Sequence, residues 1–357
     1  LKSIIFHRSL GDMQKKVHRM SFITEKYADI FEANSKLVVK AAELCKADLC
    51  CDVVYEMPEL QGKIGSIYAE IQKMPSEVVL SIKEHYSPLG PSDSCPTTPE
   101  SSLLSLSDKL DSLIGFIAID MKATGSKDPF GLRRSCLGII RIILENKIRI
   151  SMKNIALDVY ETYKTQDIKL VLSKEESQAS CIEFVYDRLR VFMKDKGFSQ
   201  SSIQAVYNVS NFSDILDDFN KIEALDKFIN ETSGKDFLNI LKRVRRILNI
   251  EEKKIDSIIG IKVNQGLFKM EEEKDLYISQ IKLAEEVNNL LKNKKYKKAM
   301  KVFSKNSIFL EKFFENVKVN VDDKAIKNNR LMLLSMIRNT FINFADFSLI
   351  EAENEVK

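Results

Sequence analysis

The sequence predicts an all-α protein, on three observations. Apolar residues recur at three- and four-residue spacing along most of the chain, the repeat of one helix face. Proline, which breaks helices and marks turns, is absent from residues 130–357. No segment sustains the apolar–polar alternation of a half-buried strand, which leaves room only for short strands.

In chain order, residues 10–31 (LGDMQKKVHRMSFITEKYADIF) and 37–57 (LVVKAAELCKADLCCDVVYEM) read as helices. Residues 59–85 continue the pattern, with Gly62 and Gly65 as points of close packing. Residues 86–102 (YSPLGPSDSCPTTPESS) hold four of the seven prolines and read as a long loop. A strongly apolar helix over 103–120 carries Asp108 and Asp111. The irregular stretch GSKDPFGLRR (125–134) follows. There Asp128 predicts a helix start, its carboxylate accepting from free backbone N–H groups, with Pro129 at the first helical position. Leu132, Cys136, Ile139, Ile140 and Ile143 then share an apolar face, with Arg134, Arg141 and Glu145 opposite and Arg133 at its edge. Near residue 155 the composition shifts toward lysine and asparagine, which places a boundary between domains 1–155 and 156–357.

Composition excludes several classes. At 44% hydrophobic and 30% charged residues the chain is globular rather than disordered. No run of about 18 apolar residues exists, so no membrane helix is expected. The chain starts at Leu1 without a signal peptide and reads as a piece of a longer protein. The phosphate-loop pattern GxxxxGK[ST] is absent. The six cysteines form no paired CxxC motif, and the three histidines, His7, His18 and His85, have no metal spacing to them. A net charge of +4 does not by itself mark a nucleic-acid binder, so the placement of basic residues has to carry that reading.

Three placements stand out. In DFLNILKRVRRILNI (236–250), Phe237, Ile240, Leu241, Val244 and Leu248 form one face. Lys242, Arg246 and Asn249 lie opposite, with Arg243 on the flank, an arrangement suited to a phosphate backbone. The run KNKKYKKAMK (292–301) is basic, as a solubilising face or an RNA-attracting one. Asn329 and Arg330 sit in KNNRLMLL, with Asp322 and Asp323 upstream as possible ion-pair partners for the arginine.

TGSKDPFGLRRSCLGIIRII (124–143) closely resembles a signature of the beta subunit of bacterial heterotetrameric glycyl-tRNA synthetases. MPELQGKIGSIYA (57–69), SLSDKLDSLIGFIAI (105–119) and FFENVKVNVDDKAIKNNRLMLLSMIRNTFINFADFSLI (313–350) resemble the same family in the same order. The resemblance implies the C-terminal half of such a subunit: a degenerate HD-like helical domain followed by a DALR-like helical anticodon-binding domain. HD phosphohydrolases hold a divalent ion with a His, a His-Asp pair and a later Asp. Here the later position is Asp108, the His-Asp position reads Lys46-Ala47 with Asp48 one residue late, and the first His falls near Lys16, with His18 out of register.

The expectation is therefore no metal site, no catalytic residue and no cofactor in this chain. The resemblance implies a glycine-tRNA ligase whose ATP and Mg serve adenylate chemistry at a separate alpha subunit. The implied partners are tRNA-Gly and that subunit, in a two-alpha two-beta heterotetramer in the cytoplasm, with no membrane. Lys242, Arg243, Arg246, Asn329 and Arg330 are the expected tRNA contacts. Lys127, Arg133 and Arg134 are candidates for the acceptor arm or the subunit interface. The rival expectations are a metal-dependent HD phosphohydrolase acting on nucleotides and a scaffold for alpha-subunit assembly.

Overall fold

A computed structural model of the chain describes residues 1–121, 128–255 and 262–350. Helices dominate the described residues, as periodicity and proline placement predict. The chain divides into two compact units. Unit 1 comprises Leu1–Phe192 and Phe212–Leu216, and unit 2 comprises Met193–Asn211 and Asp217–Lys357.

Unit 1 opens with a short antiparallel pair, β1 (Ile5–His7) and β2 (Gly11–Asp12). Its helices are α1 (Met13–Phe31), α2 (Ser35–Leu44), α3 (Asp52–Glu56), α4 (Lys63–Ile71), α5 (Ser76–Glu84), α6 (Pro99–Ala118), α7 (Leu132–Glu145), α8 (Met152–Lys164) and most of α9 (Lys174–Asp195). α6 is the core, buried from Glu100 to Ala118 except for Ser112, with α1, α2, α5, α7 and α8 packed around it. α8 packs on α6 and α1, so the division does not follow the boundary expected near 155. The composition change at 147–160 reflects the surface of α8, whereas its buried Met152, Ile155, Val159 and Tyr163 belong to the unit 1 core.

Local chemistry sets the helix starts. Thr98 accepts from the Ser101 N–H and Pro99 occupies the first turn, so α6 begins inside the segment read as loop. At the other expected start, the Asp128 carboxylate does cap, accepting from the N–H groups of Leu132 (2.8 Å) and Arg133 (3.0 Å). Pro129 is not the first helical residue there. Pro129 and Phe130 form a turn, and Gly131 at φ 65°, left-handed backbone that suits glycine, precedes Leu132. Gly125 and Lys127 lie outside the described residues. The 37–57 run breaks after Leu44 into a 3₁₀ turn, Ala47–Cys50, and α3. Gly65 does pack closely: a Cβ there would lie 3.1 Å from Asp48 Oδ2 and from Ile82 Cγ2.

Unit 2 contains α10 (Gln200–Tyr207), most of α11 (Ile215–Asn230), α12 (Thr232–Ile255), α13 (Glu271–Lys292), α14 (Tyr296–Lys305), α15 (Ser307–Asn316) and α16 (Lys324–Phe341). α12 packs against α14, α15 and α16, and α13 against the same three. Phe237, Phe303, Phe341 and Phe347 form an aromatic centre, with Phe303 and Phe341 edge to face at 4.4 Å.

Candidate functional site

The predicted apolar face of α12 is buried: Phe237, Ile240, Leu241, Val244 and Leu248 all point into unit 2. That burial turns the basic side outward. Arg243, Arg246 and Asn249 are exposed and Lys242 is half-buried. Arg243 is held from behind. Its guanidinium lies 4.3 Å from the Phe314 ring centroid and donates to the Phe314 carbonyl at 3.3 Å. The pair lines a pocket of about 500 Å³ between α12, the end of α15 and the start of α16.

Asn329 and Arg330 are elsewhere. Both are buried. The Asn329 amide bridges the backbone of Asn264, accepting from its N–H at 2.7 Å and donating to its carbonyl at 3.0 Å. Arg330 forms a two-point pair with Glu273, Nε to Oε1 at 2.8 Å and Nη2 to Oε2 at 3.2 Å, and donates to the Lys318 carbonyl. Burial opposes ionisation of Glu273, but the Arg330 hydrogen bond and the backbone N–H groups of Lys269 and Met270 outweigh it, holding the carboxyl below its usual range. Arg330 therefore makes its ion pair with Glu273, 57 residues away in sequence, instead of with Asp322 or Asp323. Within the lysine run, Lys294 pairs with Asp217 and Lys297 with Glu223, which neutralises part of that face.

In unit 1 the three positions that resemble HD metal ligands do converge. Lys16 and Lys46 each place Nζ 3.1 Å from Asp108 Oδ1. The contact is ionic, since neither ammonium meets that oxygen in hydrogen-bond geometry. Lys16 also donates to the Asp108 carbonyl, to Asp111 Oδ2 and to Ser112 Oγ. Arg19 grips Asp111 through Nε (2.6 Å) and Nη2 (3.1 Å) and stacks on Tyr163 at 3.9 Å. Lys46 lies 3.7 Å over the Tyr86 ring.

The electrostatics follow from burial and pairing. Burial opposes the charge on Asp108, but the Lys16 and Lys46 ammoniums prevail and hold it far below the usual carboxylate range. Burial would lower Lys46, and Asp108 raises it above its ordinary value instead. His85, buried with Nδ1 at 2.6 Å from the Ile82 carbonyl, is held neutral by burial and by Lys46. Lys109, donating to the carbonyls of Tyr86 and Ser87 and to Ser105 Oγ, is lowered by burial to about 8. Asp48 is a backbone cap: Oδ2 accepts from Gly62 N–H at 2.6 Å and Gly65 N–H at 3.1 Å. These residues do not fit a divalent ion. Two ammoniums occupy the carboxylate oxygen an ion would use, and they repel it.

Arg134 is exposed and folds back over Gly131, and Arg133 is half-buried. Sequence reading missed Phe314 and Glu273, whose partners Arg243 and Arg330 lie 71 and 57 residues away, beyond any local pattern.

Residues 240–354, which span most of α12 and all of α13 to α16, match the profile described as "DALR anticodon binding domain". Residues 1–208, more than half of the chain, match the profile described as "Glycyl-tRNA synthetase beta subunit", and the chain belongs to that family. It is 35% identical over 355 residues to the glycine–tRNA ligase beta subunit of Ruegeria sp. (strain TM1040), covering 98% of this chain and 49% of that protein. The chain thus spans about half the length of the curated relative it matches.

Proposed function

We propose that this chain is the tRNA-binding portion of a glycyl-tRNA synthetase beta subunit. It positions tRNA-Gly for ATP-dependent attachment of glycine. In this reading adenylate formation, with its ATP and Mg, takes place at a separate alpha subunit, within a two-alpha two-beta assembly in the cytoplasm. The observation that carries the reading is the outward basic side of α12, where Lys242, Arg243 and Arg246 project from a helix whose other side is fixed in the core. Guanidiniums and an ammonium so placed suit the phosphates and exposed bases of an RNA loop. Asn329 and Arg330 serve this surface indirectly by tying α16 to the 264 and 318 backbones. Arg133 and Arg134 are assigned to the acceptor arm or the subunit interface, with Lys127 beside them in sequence.

The test is titration of tRNA-Gly and of other tRNAs at several salt concentrations. Tighter binding to tRNA-Gly is expected, weakening as salt rises, and Lys242→Ala should lower the salt slope by about 1. Equal affinity for every tRNA would overturn anticodon reading.

A scaffold role has its own observation. α4 exposes Ile67, Tyr68 and Ile71, the last 70% exposed, as a subunit contact would. Co-elution with the alpha subunit without any RNA binding would favour it. The phosphohydrolase reading meets the two lysines on Asp108, and no helix of the described residues is long and apolar enough to cross a membrane.

A further inference from the structure

The pocket beside Arg243 has the parts of a nucleobase site. Its volume, about 500 Å³, falls within the ~300–1,000 Å³ of small-ligand pockets. Arg243 is exposed, yet Phe314 behind it and the Phe314 carbonyl fix its plane. Among the described residues it makes that single hydrogen bond, so one flat face and most of its donors are open to a ligand. Ile250, 75% exposed on α12, supplies an apolar wall. Two carboxylates also line the pocket. Lys327 neutralises Glu251 at 2.8 Å, whereas the Glu315 carboxylate has no hydrogen bond or ion pair among the described residues.

These parts select among ligands. A phosphate would be drawn to Arg243 and Lys318 and repelled by Glu315. A neutral planar base suffers no such repulsion. Its face can stack on the guanidinium, and an exocyclic amine on its edge can donate to a carboxylate. Only an unpaired base offers both face and edge. We propose that this pocket takes one unpaired, amine-bearing RNA base, stacked on Arg243 with its amine toward Glu315. Uracil, which lacks the amine, is disfavoured. This deepens the tRNA-binding reading and rests on it.

The test titrates the 357-residue chain with three labelled RNAs. One is a hairpin with the anticodon arm of tRNA-Gly, one is the same hairpin with an all-uridine loop, and one is a duplex of equal length. Arg243→Lys keeps the charge and loses the plane, and Glu315→Gln removes the carboxylate charge. Both positions are exposed, and circular dichroism checks that both variants fold. Wild type should prefer the native hairpin. Arg243→Lys should weaken the native hairpin about 10-fold or more and leave the duplex unchanged, given the strength of base stacking on side chains. Glu315→Gln should narrow the gap between native and uridine loops. If wild type prefers the hairpin and both variants behave like wild type, the pocket assignment is overturned while the tRNA-binding reading stands. If wild type does not tell hairpin from duplex, the tRNA-loop reading itself falls.

Discussion

Asp108→Asn tests the idea that two lysines hold the buried carboxylate in unit 1. Lys46 is 2% exposed, and among the described residues its one carboxylate partner at ion-pair distance is Asp108. Lys16 keeps Asp111 and Ser112 when Asp108 is neutralised, so Lys46 bears most of the loss. Removing one partner of a buried pair costs about 3–5 kcal/mol, because the other charge stays buried. Hydrogen exchange reads this locally. Amides of α2 and α6 should lose about two to three and a half orders of magnitude of protection at pH 7, while those of α13 and α16 keep theirs.

The pH dependence gives a second readout. In wild type Lys46 is raised, so its contribution is full below the unfolded value of 10.5 and fades as pH rises through the higher folded value. In the variant burial, the largest influence on Lys46, is no longer offset by the Asp108 charge and lowers it, so the unfolded state binds the extra proton and stability should recover as pH rises toward 10.5. Replacing both partners, Lys46→Met with Asp108→Leu, should restore much of the loss. A variant that loses less than about 1 kcal/mol, or shows no recovery at high pH, refutes the argument.

Three further outcomes are expected. Arg330→Ala should destabilise unit 2 by about 3–5 kcal/mol by stranding Glu273, seen as lost exchange protection in α13 and α16; lost RNA binding with protection intact would show that Arg330 touches RNA instead. Gly115→Ala would drive a methyl into the Tyr163 hydroxyl, which donates to the Asp111 carbonyl at 2.9 Å, and should cost about 1–3 kcal/mol by calorimetry; an unchanged melting temperature would contradict the packing. Asp108, Asp111, Asp217 and Glu273 are all held below their ordinary values, so the unfolded chain takes up protons first on acidification. Stability should thus fall as pH drops through about 4, and a urea midpoint that stays level between pH 5 and 3 would count against those pairs.

What the sequence reveals tracks how local the cause is. The buried face of α12 was legible because five apolar residues repeat within twelve positions on one helix. The Asp128 cap was legible for the same reason. Asp128-Pro129 and Thr98-Pro99 carry the same local signal, yet only Pro99 opens a helix, and Pro129 lies in the turn before α7. The left-handed Gly131 decides that α7 starts later. Arg330 could not be placed from its neighbours. Its local carboxylates, Asp322 and Asp323, are the obvious partners, and only the packing of α13 on α16 brings Glu273 to it. Lys16, Lys46 and Asp108 were aligned by resemblance to a metal site. That they meet as an ion triad is a property of three helical segments converging. The domain boundary was misplaced because composition reports surfaces, and α8 differs from α7 on its outside while sharing its core.

α6 has almost no outer face, and this bears on how unit 1 can be divided. A cut in the 88–97 loop would separate α1, α2 and α5 from the helix they pack on. The other piece would carry α6 with the face that meets α1, α2 and α5 bared to water. Neither piece could bury its own apolar surface. Each should be soluble only in the company of the other, and the two should reassemble on mixing as complementing halves of one core.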